Sequence, residues 1–369
     1  MLYFDNAATG GFKPDEVITA AEAAMKFCAN PGRSGHRLSI ACLERVYACR
    51  KLVCGFLGGY GYDRTVFTKN CTEALNIAIF GLIKGGDEVV TTVAEHNSVL
   101  RPLEVLKSKG VKVKYAPLVG GKLSAVEILN LVSANTRAVI VTLASNVTGT
   151  AVDISELKKG LPEDTLLICD GAQACGHVPV DMKAHGIDAL AVAGHKGMLG
   201  IQGSGALLFS ERVNPDPVLY GGTGSESYNP NMPDFYPDRL ESGTLSYPAI
   251  VSLGEGALYL TDRLSGHVEK VTAFTRLICD GLSEIDGVKL YSEPNPYGIV
   301  AFDVATMQSE MAAYRLSEEF SICVRGGLHC APMMHEALGT QGLVRASVSA
   351  FNTQSECERL ISAVKQLTT

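Results

Sequence analysis

LLICDGAQACGHVPVD at residues 166–181 and ALAVAGHKGMLGIQGSG at residues 189–205 share one pattern. Each begins with a short apolar run and passes into a glycine-containing turn that carries a charged residue, Asp170 in the first and Lys196 in the second. Apolar runs of this length and composition are typical of buried parallel β-strands. Because ligands bind at the carboxyl ends of strands in open α/β sheets, we expect Asp170 and Lys196 to face a common binding site.

Similar patterns extend this interpretation in both directions along the chain. Further strand-like runs lie at 65–69, 88–93, 111–118, 138–144 and 205–209. Helical patterns alternate with them at 15–30, 40–57, 72–84 and 98–109. Strands that alternate with helices predict an α/β fold built on a mostly parallel sheet, here with seven strands.

A loop segment at 220–247, rich in Gly, Ser, Pro and Tyr, separates this region from the rest of the chain. Beyond it we predict strands near 288–292, 297–303, 320–324 and 344–349, between a helix at 249–263 and a closing helix at 354–367. A chain of 369 residues suits two domains. We predict a large domain at 15–250 and a smaller C-terminal α/β domain formed by 1–14 and 251–369.

Composition argues against several classes of protein. With 46% hydrophobic residues, 19% charged residues and a net charge of −7, the chain suits a globular protein that binds neither nucleic acid nor an anionic membrane. No apolar run approaches the length of a membrane span, and we expect no signal peptide. The 11 cysteines lack CxxC spacing, which favours buried thiols in a reducing, cytoplasmic compartment and indicates no metal site.

The two charged residues at the strand ends indicate a particular cofactor. Asp170 alone is more simply a turn or helix-capping residue, and Lys196 alone a solvated loop lysine. Together they suit pyridoxal phosphate, because an acid can pair with the protonated pyridine nitrogen while a desolvated lysine forms a Schiff base. The pair therefore predicts a pyridoxal-phosphate enzyme.

The order of motifs along the chain resembles that of a known family. The motifs are YFDNAAT (3–9), TEALN (72–76), AEHNS (94–98), SNVTGT (145–150), DGAQ (170–173), GHK (194–196) and RASVSAFNT (345–353). They resemble the class V aminotransferase-like pyridoxal-phosphate enzymes, and within them the cysteine desulfurase and selenocysteine lyase branch. The resemblance implies the fold type I architecture of pyridoxal-phosphate-dependent transferases.

The resemblance also implies a role for each matching residue. Lys196 would bind the cofactor covalently and move protons at the substrate α-carbon. Asp170 would pair with the pyridine nitrogen, and Gln173 would hydrogen-bond the phenolic oxygen. His96 would stack on the pyridine ring and handle protons, and Asn146 would lie near the ring oxygen and the substrate carboxylate.

The cofactor phosphate needs hydrogen-bond donors, and the turn that opens the TEALN helix supplies backbone N–H groups. Cys71 and Thr72 belong to this turn, and the Thr72 hydroxyl is a further donor. His195 would add a contact. The resemblance implies that Thr244 reaches the phosphate of a partner subunit, so that the protein would be a homodimer with shared active sites.

Two positions depart from the family pattern. Ala193 stands where many relatives have a serine, and Cys71 stands where a threonine is frequent. The missing hydroxyl at Ala193 removes one phosphate hydrogen bond, typically worth about 1–2 kcal/mol. We expect the cofactor still to bind, because the Schiff base and the other donors remain, but with lower affinity.

The segment VRGGLHCAPMMHEALGTQGLVRAS (324–347) indicates the chemistry. It resembles the second group of cysteine desulfurases, in which an R-x-G-x-H-C-A pattern precedes a short loop. The resemblance implies that Cys330 accepts the substrate sulfur as a persulfide and that Arg345 binds the substrate α-carboxylate with its guanidinium fork. Arg325 would help to hold the segment. We expect His329 and the two arginines to favour the Cys330 thiolate.

Two of these assignments have simpler alternatives. Cys330 is one of 11 cysteines, and without its flanking residues a packing role would be favoured. The flanking pattern favours catalysis. His36, in RSGHRLS (33–39), matches another family segment, and a place in the substrate pocket and a structural role are equally favoured for it.

The resulting prediction is a pyridoxal-phosphate-dependent cysteine desulfurase that converts L-cysteine to L-alanine. Alternatives within the family are a selenocysteine lyase, or another class V lyase, aminotransferase or epimerase. An alternative of another class is a sulfur-carrier or scaffold protein with little turnover. The short loop after Cys330 is compatible with an activating sulfur-acceptor protein. The pathway served, whether iron–sulfur cluster assembly, tRNA thiolation or selenium supply, stays open.

Overall fold

The computed structural model describes residues 1–368. The strands are β1 (Leu2–Tyr3), β2 (Thr65–Thr68), β3 (Glu88–Thr92), β4 (Lys112–Ala116), β5 (Thr136–Thr142), β6 (Leu166–Asp170), β7 (Ala189–Ala193), β8 (Gly205–Phe209), β9 (Val288–Leu290), β10 (Ile299–Val304), β11 (Ile322–Cys323), β12 (Arg325–Gly327) and β13 (Leu343–Ser347). The helices are α1 (Asp15–Lys26), α2 (Arg37–Phe56), α3 (Cys71–Leu82), α4 (Asn97–Lys107), α5 (Ala125–Leu131), α6 (Ile154–Gly160), α7 (Tyr247–Thr261), α8 (Leu264–Ser283), α9 (Ser309–Phe320), α10 (Pro332–Leu338) and α11 (Gln354–Thr368).

The larger sheet has the strand order β2-β8-β7-β6-β5-β3-β4. The strands from β7 to β4 run parallel to one another, whereas β8 pairs antiparallel with both β7 and β2. Every residue of β6, β7 and β8 is buried, as expected for a sheet covered on both faces. Two hydrophobic clusters hold this part together, one containing Val192 and Leu208 and the other Ala191 and Leu207. The prediction of an α/β fold with a mostly parallel seven-stranded sheet is confirmed.

A second, four-stranded antiparallel sheet has the order β12-β13-β10-β9. Helices α8 and α11 pack together, and their apolar residues form a third hydrophobic cluster with those of α9, β10 and β13. The first residues of the chain join this part, because β1 pairs in parallel with β11 and Asp5 forms a bridge to Ser347. The predicted domain boundary at 250 falls inside α7, which packs against α1 and α2, and the division into domains stays a prediction.

Five helices were not predicted from the sequence, α5 and α6 in the large part and α8, α9 and α10 in the C-terminal part, and neither were the short strands β1 and β12. Elsewhere the predicted elements differ from the observed ones by a few residues at their ends; the helix predicted at 15–30, for example, ends at Lys26. No helix in the described part of the chain is both long and apolar enough to cross a membrane.

Candidate active site

A cavity of about 200 Å³ lies beyond the carboxyl ends of β5, β6 and β7, whose last residues all contribute to its wall. Side chains from both sheets line it. Ten of the residues predicted for the site are among them: Cys71, Thr72, His96, Asn146, Asp170, Gln173, His195, Lys196, Arg325 and Arg345. The cavity therefore lies where the strand pattern placed a ligand site.

Lys196 lies at the centre of this group, in the turn after β7. Its ammonium makes no hydrogen bond or ion pair with any residue from 1 to 368. Burial lowers the pKa of Lys196, which the nearby Asp170 carboxylate opposes. A lysine with a lowered pKa and no partner suits covalent binding to a carbonyl group.

Two glycines allow the Lys196 turn to approach the turn that follows β6. A Cβ atom on Gly176 would lie 2.2 Å from the carbonyl carbon of Gly197, and one on Gly197 would lie 2.3 Å from Nδ1 of His177. Gly176 also has a φ of +82°. A side chain at either position would push the two turns apart, so this close approach requires glycine.

Asp170, the last residue of β6, presents one paired and one unpaired carboxylate oxygen. Oδ1 accepts hydrogen bonds from the Ala172 N–H (2.9 Å) and the Cys71 thiol (3.3 Å). Burial raises the pKa of Cys71 well above its usual range, so the thiol stays protonated and donates. Oδ2 makes no hydrogen bond within residues 1–368. It is the oxygen left for a ligand.

The N-terminus of α3 forms another wall of the cavity. Asn70 caps the helix, since its Oδ1 accepts from the Glu73 N–H at 2.9 Å. The N–H groups of Cys71 and Thr72 begin the helix and have no acceptor within it. A Cβ atom on Gly205 of β8 would lie 2.8 Å from the carbonyl carbon of Asn70, so the absence of a side chain there leaves room for this turn. The arrangement suits an anion such as a phosphate.

Two histidines line the cavity as neutral rings. Nδ1 of His96 accepts from the Ser98 N–H at 3.1 Å and caps α4, which assigns the ring proton to Nε2. Burial lowers the pKa of His96 to about 4. Burial also lowers the pKa of His195 to about 4, and Nδ1 of His195 lies 3.2 Å from the Thr9 hydroxyl.

Two arginines from the smaller sheet complete the cavity. Arg325 of β12 and Arg345 of β13 are directly opposite each other in the sheet, where like charges repel each other. Arg345 is 1% exposed; it donates to Asp5 Oδ1 (2.7 Å) and to the Asn146 carbonyl (3.0 Å), while its Nε has no partner. Arg325 makes no side-chain hydrogen bond or ion pair with the rest of residues 1–368. The two guanidinium groups suit a carboxylate ligand.

The segment that carries Cys330 lies at the rim of the cavity. The Asn97 N–H donates to the Cys330 carbonyl at 2.8 Å, and the Asn146 side chain donates to the His329 carbonyl at 2.7 Å. Cys330 itself is exposed and does not line the cavity, whereas the preceding His329 does. Helix α10 begins two residues after Cys330, so the loop after the cysteine is short.

The expectation that His329 favours the Cys330 thiolate by its charge is wrong. The ring is buried, and Nε2 lies 3.0 Å from the Leu343 carbonyl, to which it donates. Burial, together with the nearby positive charges of Arg345 and Arg325, lowers the pKa of His329 to about 2. A neutral ring carries no net positive charge with which to stabilise a thiolate.

Comparisons with known proteins agree with this geometry. The model of the class V aminotransferase family matches residues 2–360. The chain belongs to the class V aminotransferase family. This member is 34% identical to a probable cysteine desulfurase of Methanothermobacter thermautotrophicus, over 99% of this chain and 94% of that protein. It is 30% identical to a cysteine desulfurase of Haloferax volcanii, over 99% of this chain and 88% of that protein.

The apo structure of a cysteine desulfurase from Thermococcus onnurineus superimposes on this class V chain with a TM-score of 0.90. The two proteins are 31% identical, over 100% of this chain and 94% of that one. The predicted family and its fold type I architecture are confirmed, as is the cysteine desulfurase branch.

The family implies pyridoxal phosphate, and the cavity of this class V protein fits that group. Buried polar atoms without partners line it, among them Oε1 of Gln173 and Nε of Arg345, while Nε2 of Gln173 donates to the Ala7 carbonyl at 3.1 Å. A reactive lysine, an unpaired carboxylate oxygen at Asp170 and a free helix N-terminus at Cys71 match the chemistry of the aldehyde, the ring nitrogen and the phosphate. The role of each residue stays a prediction.

Three predicted site residues of this class V chain do not line the cavity: Cys330, which lies at its rim, Thr244 and His36. Thr244 is exposed, in a segment held by the ion pair between Arg50 and Glu241 (2.6 Å). His36 is also exposed and caps α2, since its Nδ1 accepts from the Ser39 N–H at 3.2 Å. The cap gives His36 a structural role. No cluster of metal-binding side chains occurs among residues 1–368.

Two residues that contact the site of this class V protein were not predicted from the sequence. Asp5 pairs with Arg345, and Asn97 donates to the carbonyl of Cys330. Both lie inside quoted motifs, YFDNAAT and AEHNS. Their places in these motifs could have identified them as site residues. Their partners are far away in the chain, and only the fold brings them together.

Proposed function

We propose that the protein is a pyridoxal-phosphate-dependent cysteine desulfurase in which Cys330 receives sulfur from L-cysteine. One observation carries the proposal: the hydrogen bond from the Asn97 N–H to the Cys330 carbonyl, which holds the cysteine peptide beside His96 of the cavity wall. Transfer of an amino group needs no thiol at that place. The names of the relatives, cysteine desulfurases, support the same activity.

Pyridoxal phosphate, when bound, withdraws electrons from the bonds at the substrate α-carbon. Lys196 would hold it and exchange protons with the substrate, which its lowered pKa favours. The free oxygen of Asp170 would keep the pyridine nitrogen protonated. The N-terminus of α3, with Thr72 and His195, would bind the phosphate, and Gln173 would contact the phenolic oxygen.

The substrate carboxylate would bind between Arg325 and Arg345, because an anion there relieves the repulsion between two directly opposed cations. Hydrogen bonds to Asp5 and to the Asn146 carbonyl hold the guanidinium of Arg345 in place. The neutral His96 ring would cover the face of the cofactor and, with its proton on Nε2, is able to donate into the cavity.

Sulfur transfer needs no further oxidant or reductant. The Cys330 thiolate attacks the substrate sulfur and forms a new S–S bond, while the C–S bond breaks and its electrons stay with carbon. Protonation of that carbon gives L-alanine, so that L-cysteine and the Cys330 thiol become L-alanine and a Cys330 persulfide. Because Cys330 is exposed, its thiol must turn toward the cavity to receive sulfur and remains open to an acceptor afterwards.

A homodimer is part of the proposal. Several large apolar side chains of the loop around Thr244 are exposed, among them Tyr220, Tyr228 and Phe235. Thr244 does not line the cavity of its own subunit, and we expect it to reach the cavity of the partner subunit. The proposal also includes a sulfur-acceptor protein. It places the protein in the cytoplasm, a reducing compartment in which 11 free cysteines stay reduced.

The test is alanine release from L-cysteine by the purified wild type, Lys196→Ala and Cys330→Ala, together with visible absorption spectra. We expect the wild type and Cys330→Ala to carry the cofactor and Lys196→Ala to lack its lysine-bound absorption. Alanine release should fall to background in both variants. Cys28→Ala, which removes another exposed thiol, is the matched control and should keep wild-type turnover.

Full cysteine turnover by Cys330→Ala would refute the persulfide mechanism. A wild type that stays colourless when pyridoxal phosphate is added would refute the cofactor assignment. Selenocysteine and an amino-acceptor keto acid should be assayed in parallel. Turnover of selenocysteine alone, or formation of a keto acid, would replace the cysteine assignment with a selenocysteine lyase or an aminotransferase.

A further inference from the structure

We propose that His329 is a positioning residue that holds the Cys330 peptide in a left-handed conformation at the rim of the cavity. This inference rests on the proposed function of Cys330 and adds a residue to it. The side chain is 3% exposed, and Nε2 donates to the carbonyl of Leu343 on β13 at 3.0 Å. The residue that precedes the nucleophile is thus attached to the strand that carries Arg345.

The backbone of this segment is strained. His329 has a φ of +51° and Cys330 a φ of +59°, so two consecutive residues other than glycine adopt the left-handed conformation. Residues with a Cβ atom rarely adopt it, because the side chain comes too close to a backbone carbonyl. Such strain persists only where surrounding contacts hold the segment in place.

Three hydrogen bonds supply those contacts. The His329 ring donates to Leu343, the Asn146 side chain donates to the His329 carbonyl at 2.7 Å, and the Asn97 N–H donates to the Cys330 carbonyl at 2.8 Å. The bonds from Asn146 and Asn97 attach the peptide to the part of the chain that carries the large sheet. The bond from His329 attaches it to the small sheet, so the peptide is held from both sides.

The ring can act in this way only as a neutral donor. Burial lowers the pKa of His329 to about 2, which leaves the ring uncharged at neutral pH with its proton on Nε2. Nδ1 has no partner, so the ring does not pass a proton through a second contact. Its function is therefore geometric.

Loss of the donor should free the peptide to return to right-handed conformations and move Cys330 away from the cavity. L-Cysteine would still bind, because Lys196, Arg325 and Arg345 do not depend on this bond. Sulfur transfer would slow. A fall in kcat with little change in KM for L-cysteine separates this role from a role in substrate binding.

The experiment compares His329→Phe, which keeps an aromatic ring without a donor, with His329→Gln, which places an amide N–H at a similar reach. We expect kcat for alanine formation to fall roughly tenfold in His329→Phe, with KM for L-cysteine changed by less than about twofold. His329→Gln should recover most of the lost kcat. A wild-type kcat in His329→Phe, or no recovery in a folded His329→Gln, would overturn the proposal.

A second pair of variants keeps the test decisive if the Phe variant does not fold. His329→Gly and His329→Ala both remove the ring, but only glycine adopts a positive φ without strain. We expect roughly fivefold higher kcat in the glycine variant, which corresponds to about 1 kcal/mol of backbone strain. Equal kcat values in the two variants would show that the left-handed conformation does not matter for sulfur transfer.

Amide hydrogen exchange provides a readout that does not depend on activity. In the wild type, the Asn97 N–H donates to the Cys330 carbonyl, and the Ala331 N–H donates to the Leu328 carbonyl. Both should exchange roughly tenfold faster in His329→Phe and stay protected in His329→Gln, while β6 is unchanged. A wild type that releases no alanine would refute the proposed function alone. Unchanged exchange at both amides would refute the role of His329 alone.

Discussion

The lysine and the cysteine of this protein are held in different ways. Lys196 lies in a turn that directly follows a fully buried strand of a seven-stranded sheet, and close glycine contacts leave this turn little freedom. Cys330 lies in a strained loop of the smaller part, held by a few hydrogen bonds to distant residues. The cofactor lysine is thus positioned by packing, and the nucleophile by a small number of polar contacts.

The difference matches the demands of the proposed reaction. A cofactor has to stay at one place through every turnover, which the close-packed end of a parallel sheet provides. A thiol that takes sulfur inside a cavity and passes it on outside has to move between two environments. A loop held by a few hydrogen bonds is easier to release than a packed turn.

After the complete loss expected for Lys196→Ala and Cys330→Ala, the largest effect should come from Arg345, which joins the two regions through its hydrogen bond to the Asn146 carbonyl. Arg345→Lys keeps the charge but loses the planar fork. We expect kcat/KM for L-cysteine to fall roughly 100-fold, about 2.7 kcal/mol. The visible spectrum of the lysine-bound cofactor should be unchanged, since Arg345 does not hold the cofactor.

Arg315→Lys is the control for this prediction, because Arg315 forms an exposed ion pair with Glu319 on α9 and lies outside the cavity. Steady-state kinetics on both variants are the measurement. If Arg345→Lys retained a wild-type kcat/KM, the assignment of the carboxylate site would be wrong.

A smaller effect should follow from Gly205→Ala, which affects only the lysine side of the comparison. The added methyl group would lie 2.8 Å from the Thr68 hydroxyl and from the carbonyl carbon of Asn70, and so would displace the N-terminus of α3. We expect the dissociation constant for pyridoxal phosphate to rise roughly tenfold, as overpacking typically costs about 1–3 kcal/mol. Titration of the apoprotein, followed by absorbance, measures this change.

Gly55→Ala in α2 is the matched control, because a Cβ atom there meets nothing within 4 Å. Hydrogen exchange at 328–331 should be the same in both glycine variants, since the phosphate site and the cysteine loop are held separately. An unchanged dissociation constant in Gly205→Ala would argue against the phosphate site at α3.

The smallest effect concerns Glu95, a fully buried carboxyl group that precedes His96 of the cavity wall. Its Oε1 accepts from the Thr92 hydroxyl (2.7 Å) and the Thr142 N–H (3.1 Å), and its Oε2 has no partner. Burial raises the pKa of Glu95 from 4.5 to about 8. Between pH 4.5 and about 8, the Glu95 carboxyl group therefore stays protonated in the folded protein but loses its proton in the unfolded chain.

This raised pKa gives a definite sign to the pH dependence. The stabilisation from protonated Glu95 is fully present below pH 4.5 and is lost as the pH rises to about 8, by at most about 1.4 kcal/mol per pH unit. We expect Glu95→Gln to gain about 1.3 kcal/mol over the wild type between pH 6 and pH 7, measured by urea unfolding. Glu358→Gln, an exposed change on α11, should show no such trend. Parallel stability curves for Glu95→Gln and the wild type would contradict the assignment.

Much of the cavity could be predicted from local patterns. Asp170 and Lys196 each follow a short apolar strand, and parallel strands bring their carboxyl ends to one edge whatever the rest of the fold does. The cysteine loop could not be predicted in the same way. The charge expected at His329 was wrong because its burial by β13 and the two arginines has no local signature in the sequence. The helices α8, α9 and α10 were also not predicted, although buried residues of α8 such as Phe274, Ile278 and Leu282 recur at a helical spacing.

The sequence by itself determined the alternation of strands and helices, the family, and the lysine, acid and cysteine on which the proposed chemistry depends. Those features follow from periodicity and motif order, which act over a few residues at a time. The tertiary structure alone decided that Asp5 pairs with Arg345, that Asn97 and Asn146 hold the Cys330 peptide, and that His329 is neutral. Hydrogen bonds between distant segments and the loss of water around a buried ring exist only after the chain has folded, so no local pattern encodes them.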